Sequence, residues 1–290
     1  MKIGLSASSN GHGKEHANQI YELISVFNSL GMEPVIVEHF IKDTDEFAAN
    51  DKERATELMK LYEDDKIGDI YDISGGGDLA NGVLEYLDFD VIARSDKTFW
   101  GYSDLTTVIN AIFTITGKSS IFYQVKNLVY KESVLQRKRF KTFLAGDDSG
   151  LFGVKYNFLQ GERMEGVVIG GNIRCFTKLA GTRYWLDVKG KILFLESYGG
   201  GTGQIATLFT QLEQIEVFEQ VTGVLLGTFT EYDEEKLTSS AYELLKMHIS
   251  ETLPVACTRD IGHRSDSKAI TIGKIIKLQK IEENTPCLLE

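Results

Sequence analysis

Ser103 sits in the run Phe99-Trp-Gly-Tyr-Ser-Asp-Leu-Thr106, where an apolar strand meets a glycine, presents one hydroxyl and becomes a helix. Such a turn holds a side chain clear of a sheet, at the positive end of a helix whose unpaired N–H groups suit a developing oxyanion. A plainer reading is also open, since Ser and Asp are favoured helix caps whether or not anything reacts. The full G-x-S-x-G elbow is absent, because Leu105 stands where its second glycine would be. A nucleophilic serine needs a base, and the base needs a group to orient it. Among five histidines, His263 lies in the polar loop Asp260-Ile-Gly-His-Arg-Ser-Asp266 after the apolar stretch 254–257, where an imidazole can face a cleft. His12 and His16 are expected in solvent near a helix start, His39 just after a strand, and His248 late on a helix, where its charge suits the carbonyl end. Glu196 ends the apolar run Ile192-Leu-Phe-Leu195, so a buried-type strand delivers one carboxylate to its carboxyl end. A bare buried carboxylate is costly, so this one faces a cleft, is hydrogen-bonded, or is a solvated strand terminus.

The elements that would position these groups alternate strand and helix through the first half. Residues 2–6 read as a strand, 16–30 as a helix with Ile20, Leu23, Ile24 and Phe27 on one face, and 34–37 as the next strand. An amphipathic helix over 51–64, a strand over 69–73, a helix over 79–87, a strand over 98–100 and a helix over 104–116 continue the rhythm. This alternation implies a mostly parallel sheet covered on both faces, with ligands bound at the carboxyl ends of its strands. Gly75-Gly76-Gly77 and Ser103 both lie at such ends. After the turn-rich stretch Ala145-Gly-Asp-Asp-Ser-Gly150, strands over 166–170, 192–195 and 221–226, helices over 203–214 and 241–250, and a strand-rich tail over 269–278 point to a second unit. Two domains are expected, 1–149 and 150–290.

With 290 residues, 42% of them hydrophobic, the chain can bury two cores. Its net charge of −11 leaves no basic face, which argues against nucleic acid and anionic membranes as partners and for a small ligand. The start Met1-Lys-Ile-Gly-Leu5 reads as a strand without signal-peptide character, and no apolar run approaches the roughly 20 residues of a membrane span, so a cytoplasmic protein is expected. Cys175, Cys257 and Cys287 are scattered, with no C-x-x-C pair and no histidine at ligand spacing, and are read as buried thiols rather than metal ligands. The triple glycine lacks the G-x-G-x-x-G spacing and the phosphate-binding lysine of nucleotide loops, which argues against a nucleotide-binding flavodoxin-like protein.

Taken in order, Gly75-Gly76, Leu84-Glu-Tyr-Leu-Asp-Phe-Asp90, Gly101-Tyr-Ser-Asp104, Gly170-Gly-Asn172, Leu179-Ala-Gly-Thr182, Ile192-Leu-Phe-Leu-Glu196 and Gly262-His263 resemble the LD-carboxypeptidase family of serine peptidases. That family includes muramoyltetrapeptide carboxypeptidases and microcin C self-immunity peptidases. The resemblance spans roughly Ile3 to Lys277. It implies a flavodoxin-like parallel α/β amino-terminal domain and a mainly β carboxyl-terminal domain, with the active site between them. It further implies Ser103 as nucleophile, Glu196 as acid and His263 as base, no cofactor or metal, and a homodimer. Within that frame the N–H groups of Asp104 and of the turn at Gly76 and Gly77 are the expected oxyanion donors. Tyr102 and Trp185 are assigned to substrate binding; Trp185 is a counterpart of an aromatic that stacks on a nucleotide base in the microcin branch, or else packs between domains. The chain departs from common family patterns. It has Ser74-Gly-Gly-Gly-Asp78 for Arg-Gly-Gly-Tyr-Gly and Phe122-Tyr-Gln-Val125 for Phe-Tyr/His-Gly-Pro; Ser197 stands where Asp often follows the acid, and Arg264-Ser-Asp-Ser-Lys268 lacks prolines. None of these removes a triad member. Three readings stand: a serine carboxypeptidase acting on a small peptide at an LD-bond of murein type, a microcin-type amidase acting on a peptidyl or aminoacyl nucleotide, and a non-catalytic small-ligand binder on the same scaffold.

Overall fold

The computed structural model describes residues 1–42, 47–231 and 240–280; Cys287, read above as a buried thiol, lies outside them. Strands β1 Lys2–Ser6, β2 Glu33–Ile36, β3 Ile67–Asp72, β4 Phe99–Gly101 and β5 Ser120–Phe122 come first. They are followed by β6 Asn157–Gln160, β7 Arg163–Asn172, β8 Ile192–Ser197, β9 Gly223–Phe229, β10 Val255–Cys257, β11 Ile270–Ile272 and β12 Ile275–Gln279. The first sheet runs β11-β5-β4-β3-β1-β2. Its five parallel strands carry the flavodoxin-like order 2-1-3-4-5, which places a natural crevice at the carboxyl ends of β1 and β3. The second sheet runs β12-β7-β8-β9-β10-β6, with β7 to β10 parallel and both edge strands antiparallel. The tail is divided between the sheets: β11 pairs antiparallel with β5, while β12 pairs with β7.

Side-chain alternation explains the layering, because successive residues of a strand point to opposite faces. Tyr71 and Trp100 join Ile3, Leu5, Ile20, Leu23 and Phe27 in an outer core beneath the helix Ala17–Ser29. Ile70 and Phe99 point the other way, into a core shared with Val168, Ile192 and Phe194 of the second sheet. Leu193 and Leu195 then face Ile205, Phe209 and Leu212 of the helix Thr202–Gln214 on the far side. All six residues of β8 are therefore buried, as a central parallel strand requires.

The helix Thr106–Thr116 lies between the two sheets and is buried on every side over its first two turns, from Thr106 to Ile112. Asn110 on this helix pairs with Gly170 of β7 as another strand would: its Nδ2 donates to the Gly170 carbonyl at 2.8 Å, and the Gly170 N–H donates to its Oδ1 at 3.0 Å. The helix that follows Ser103 is thus fixed to the strand preceding Asn172. Two expected helices differ in form. Residues 80–86 are a 3₁₀ helix, Ala80–Tyr86, and the segment expected over 241–250 is helical only over Ala241–Leu245. His248 therefore lies in turns beyond a helix, its N–H bonded to the Leu245 carbonyl at 2.9 Å.

Candidate active site

Ser103 does not cap a helix over 104–116. It opens a single 3₁₀ turn, Ser103–Leu105, and the α-helix begins at Thr106. The cause is its backbone: Ser103 has φ +55°, in the left-handed region that L-residues rarely adopt, shared among described non-glycine residues only with Asp78 and Glu216. Such strain persists where surrounding contacts over-determine it. Here the Thr106 hydroxyl donates to the Ser103 carbonyl at 2.6 Å and accepts the Asn172 N–H at 2.9 Å. On the other side the buried Asp104 carboxylate accepts from the Ser9 hydroxyl and from the Asp78 N–H, tying the serine turn to the glycine turn before it. Burial raises the Asp104 pKa above the ordinary value, and the bond from Ser9 opposes that shift. At Gly171 (φ +137°) a Cβ would stand 2.6 Å from Thr106 Oγ1, so only glycine lets β7 come this close to the serine helix.

Asn172 and Glu196 are register partners at the carboxyl ends of β7 and β8. Glu196 is 0% exposed, and both of its oxygens are engaged. Asn172 Nδ2 donates to Oε1 at 3.1 Å, and His263 Nδ1 lies 2.6 Å from Oε2. A carboxylate on Nδ1 holds the proton there, so Nε2 is left to accept the Ser103 hydroxyl, 3.0 Å away. The imidazole packs against the rings of Tyr102 and Tyr198, at centroid distances of 4.5 and 5.2 Å. Gly262 (φ +143°) brings it there, because a Cβ at that position would overlap the Thr228 hydroxyl. The structure therefore brings Ser103, His263 and Glu196 into one hydrogen-bonded chain, and residues from both halves of the sequence build it.

The serine opens into a cleft of about 460 Å³ at the carboxyl ends of the strands. Gly76, Tyr102 and Asp104 line it, whereas Gly77 does not and packs against Asn10. Trp185 does not line it either: its ring rests on Phe176 at 5.0 Å and touches both the shared core and the outer core of the second sheet. The ring is partly buried there, in the packing role given above as the alternative to substrate stacking. The expectation for His12 is corrected. It is buried behind the glycine turn, its Nε2–H donating to the Ile73 carbonyl at 2.5 Å, and burial together with the nearby Lys126 cation pushes its pKa down to about 4. Asn172 was not singled out from the sequence as a site residue, although it closes the quoted Gly170-Gly-Asn172 run; a side-chain amide directly after two strand glycines was the available signal. Among the described residues, no three His, Cys, Asp or Glu side chains converge as a metal site. No described helix is long and apolar enough to cross a membrane.

Comparison with known proteins matches residues 3–124 to the LD-carboxypeptidase N-terminal domain and residues 165–278 to the LD-carboxypeptidase C-terminal domain. A probable murein peptide carboxypeptidase of Bacillus subtilis (strain 168) is 29% identical over 241 residues, covering 78% of this chain and 73% of the relative. The microcin C7 self-immunity protein MccF of Escherichia coli is 26% identical over 255 residues, covering 77% and 74%. Among solved structures, wild-type apo MccF superposes with a TM-score of 0.84 at 22% identity over 95% of this chain and 92% of that one. A muramoyltetrapeptide carboxypeptidase from Oxalobacter formigenes gives 0.80 at 22% identity over 100% and 97%. At these identities the two structures share the fold with this chain.

Proposed function

The chain belongs to the LD-carboxypeptidase family, and from that premise we propose that it is a serine carboxypeptidase that hydrolyses an amide bond in a small peptide, of the LD type found in murein peptides, through Ser103, His263 and Glu196. The observation that carries this reading is the single imidazole joining a buried carboxylate at 2.6 Å to a serine hydroxyl at 3.0 Å. In the first half-reaction Ser103 Oγ attacks the scissile carbonyl while His263 Nε2 takes its proton. The oxyanion is met by backbone N–H groups of Asp104 and Gly76, each such donor contributing about 3 kcal/mol to lowering the barrier. His263 returns the proton to the leaving amine, and Glu196 favours the imidazolium and keeps the ring in its working tautomer. Water then enters, loses a proton to His263 and releases the acyl group from Ser103, restoring the free enzyme.

A second reading, hydrolysis of a peptidyl or aminoacyl nucleotide, is supported by the similarity to microcin C7 self-immunity protein MccF. Turnover of a murein tetrapeptide and of a processed microcin C analogue, measured side by side for wild type and Ser103→Ala, tests both. Release of the terminal D-amino acid by wild type and not by Ser103→Ala is the expected result. Preferential turnover of the microcin analogue would move the assignment to the second reading. Failure of the folded wild type on both, or equal rates for Ser103→Ala, would remove the serine mechanism.

A further inference from the structure

Three carboxylate side chains line the cleft, Asp72, Asp104 and Glu231, against one arginine and no lysine among its described lining residues. Two of the carboxylates are consumed by the fold. Asp72 accepts the Ser6 hydroxyl at 2.9 Å and the N–H groups of Ser8 and Ser74 at 2.8 and 2.9 Å, and Asp104 holds the serine and glycine turns together. The arginine, Arg174, is in the opposite condition: its side chain is 51% exposed, and within the described residues only its Nη2 is committed, to Asp78 at 3.1 Å. Asp78 is not Arg174's alone. Lys178, one helical turn further on, places its Nζ 3.1 Å from Asp78 Oδ1, so two cations share one carboxylate and the group keeps a net positive charge at the rim of the cleft.

Position makes that charge relevant to the chemistry. Arg174 is on the short helix Ile173–Thr177, two residues after Asn172, whose amide holds Glu196 and whose N–H is linked through Thr106 to the Ser103 carbonyl. The guanidinium is thus carried by the same backbone corner that fixes the acid and the nucleophile. A guanidinium with free N–H groups matches the two oxygens of a carboxylate better than any other side chain does.

We propose that Arg174 is the specificity-determining residue that binds the free carboxylate of the amino acid released from the substrate, with Asp78 holding it in place and the Lys178 cation on the same carboxylate keeping the group from being neutralised. The proposal rests on the carboxypeptidase reading above and names the residue that would confine that reading to peptides with an uncapped terminus. A charge-assisted interaction of this kind corresponds to roughly a 10- to 100-fold preference in kcat/KM.

The test compares a murein tetrapeptide ending in a free carboxylate with the same peptide ending in a carboxamide, using wild type, Arg174→Ala and Arg174→Lys. Wild type should prefer the acid by the factor above, Arg174→Ala should bring the acid-to-amide ratio close to one, and Arg174→Lys should recover part of it. A purely structural role would lower both rates together and leave the ratio standing, as would binding of the terminus elsewhere; either result in folded Arg174→Ala overturns the proposal while leaving the peptidase reading intact. An equal wild-type rate on acid and amide also overturns it. Turnover of neither peptide by wild type removes the peptidase reading and the proposal together.

Discussion

His263–Glu196 and His39–Glu57 are the same chemical pair at nearly the same separation, 2.6 and 2.7 Å between Nδ1 and the carboxylate. Their surroundings differ in every respect that matters to catalysis. Glu57 uses its carboxylate to cap a 3₁₀ turn, accepting the N–H groups of Glu38 and His39 at 3.2 and 3.4 Å, and the His39 side chain is 35% exposed. That pair fastens the loop after β2 to the helix Asp51–Glu63, and as a partly solvated pair it contributes up to about 1 kcal/mol. Among the described residues Glu196 caps no backbone, its oxygens meeting side chains instead. It is sealed from water, its second oxygen is held by Asn172, and its imidazole stands between two tyrosine rings with Nε2 aimed at a serine on a left-handed backbone. A His–carboxylate contact alone is therefore architecture; a third partner on the far nitrogen, and exclusion of water from the acid, make it a candidate for chemistry.

The largest effect that could break this contrast comes from the far nitrogen. Ser103→Ala and His263→Ala should each lower kcat by at least about 10³-fold, and the double variant should lose little more than either single one, because members of a triad act as one unit. His39→Ala should leave kcat within about twofold, since the partner of that ring among the described residues is a structural carboxylate. Multiplicative losses in the double variant would show that Ser103 and His263 act separately.

A smaller effect separates the two glutamates. Glu196→Gln keeps size and polarity but presents an amide to His263, so kcat should fall by at least about 100-fold, less than for Ser103→Ala, with little change in KM or in thermal unfolding. Glu57→Gln should do the reverse, leaving kcat nearly unchanged while costing up to about 1 kcal/mol of stability. Matched kcat and unfolding measurements on both variants check this, and near-wild-type turnover by folded Glu196→Gln would take it out of the mechanism.

The sequence carried the contrast unevenly. Ser103, Glu196 and His263 each sit at a locally readable boundary, a strand-to-helix turn, the end of an apolar strand and a polar loop, so their candidacy needed no long-range information. The parallel character of the first sheet was also accessible from the strand–helix alternation, whereas its flavodoxin-like form came from the family resemblance and the short strand Ser120–Phe122 was not read at all. What stayed hidden depends on contacts between distant segments. The left-handed backbone of Ser103 is stabilised by a hydroxyl–amide relay from Asn172, the tail lends β11 to the first sheet, and Trp185 is claimed by two cores at once. His12 is the sharpest case: flanked by glycines near a helix start it reads as solvent-facing, yet the turn at Gly75–Gly77 folds over it.

His12 also supplies the smallest effect, because it is a third kind of histidine, buried with a backbone carbonyl rather than a carboxylate as its partner among the described residues, and held neutral beside Lys126. Burial comes first and the Lys126 cation second in lowering its pKa from 6.5 to about 4. Between those two values the unfolded chain binds more protons than the native state, so the stability held in full above pH 6.5 is lost as pH falls towards 4. From pH 6.5 to about 5.5 that loss is about 1 kcal/mol from this group alone. His12→Gln retains an N–H that can reach the Ile73 carbonyl but cannot titrate, so denaturant unfolding at several pH values should show a shallower acid slope than wild type over this window. An unchanged slope would mean that His12 is already protonated in the native state, and that a buried histidine without a carboxylate can stay charged beside a lysine. The contrast drawn here, in which surroundings rather than residue type decide what each imidazole does, would then fail at its simplest member.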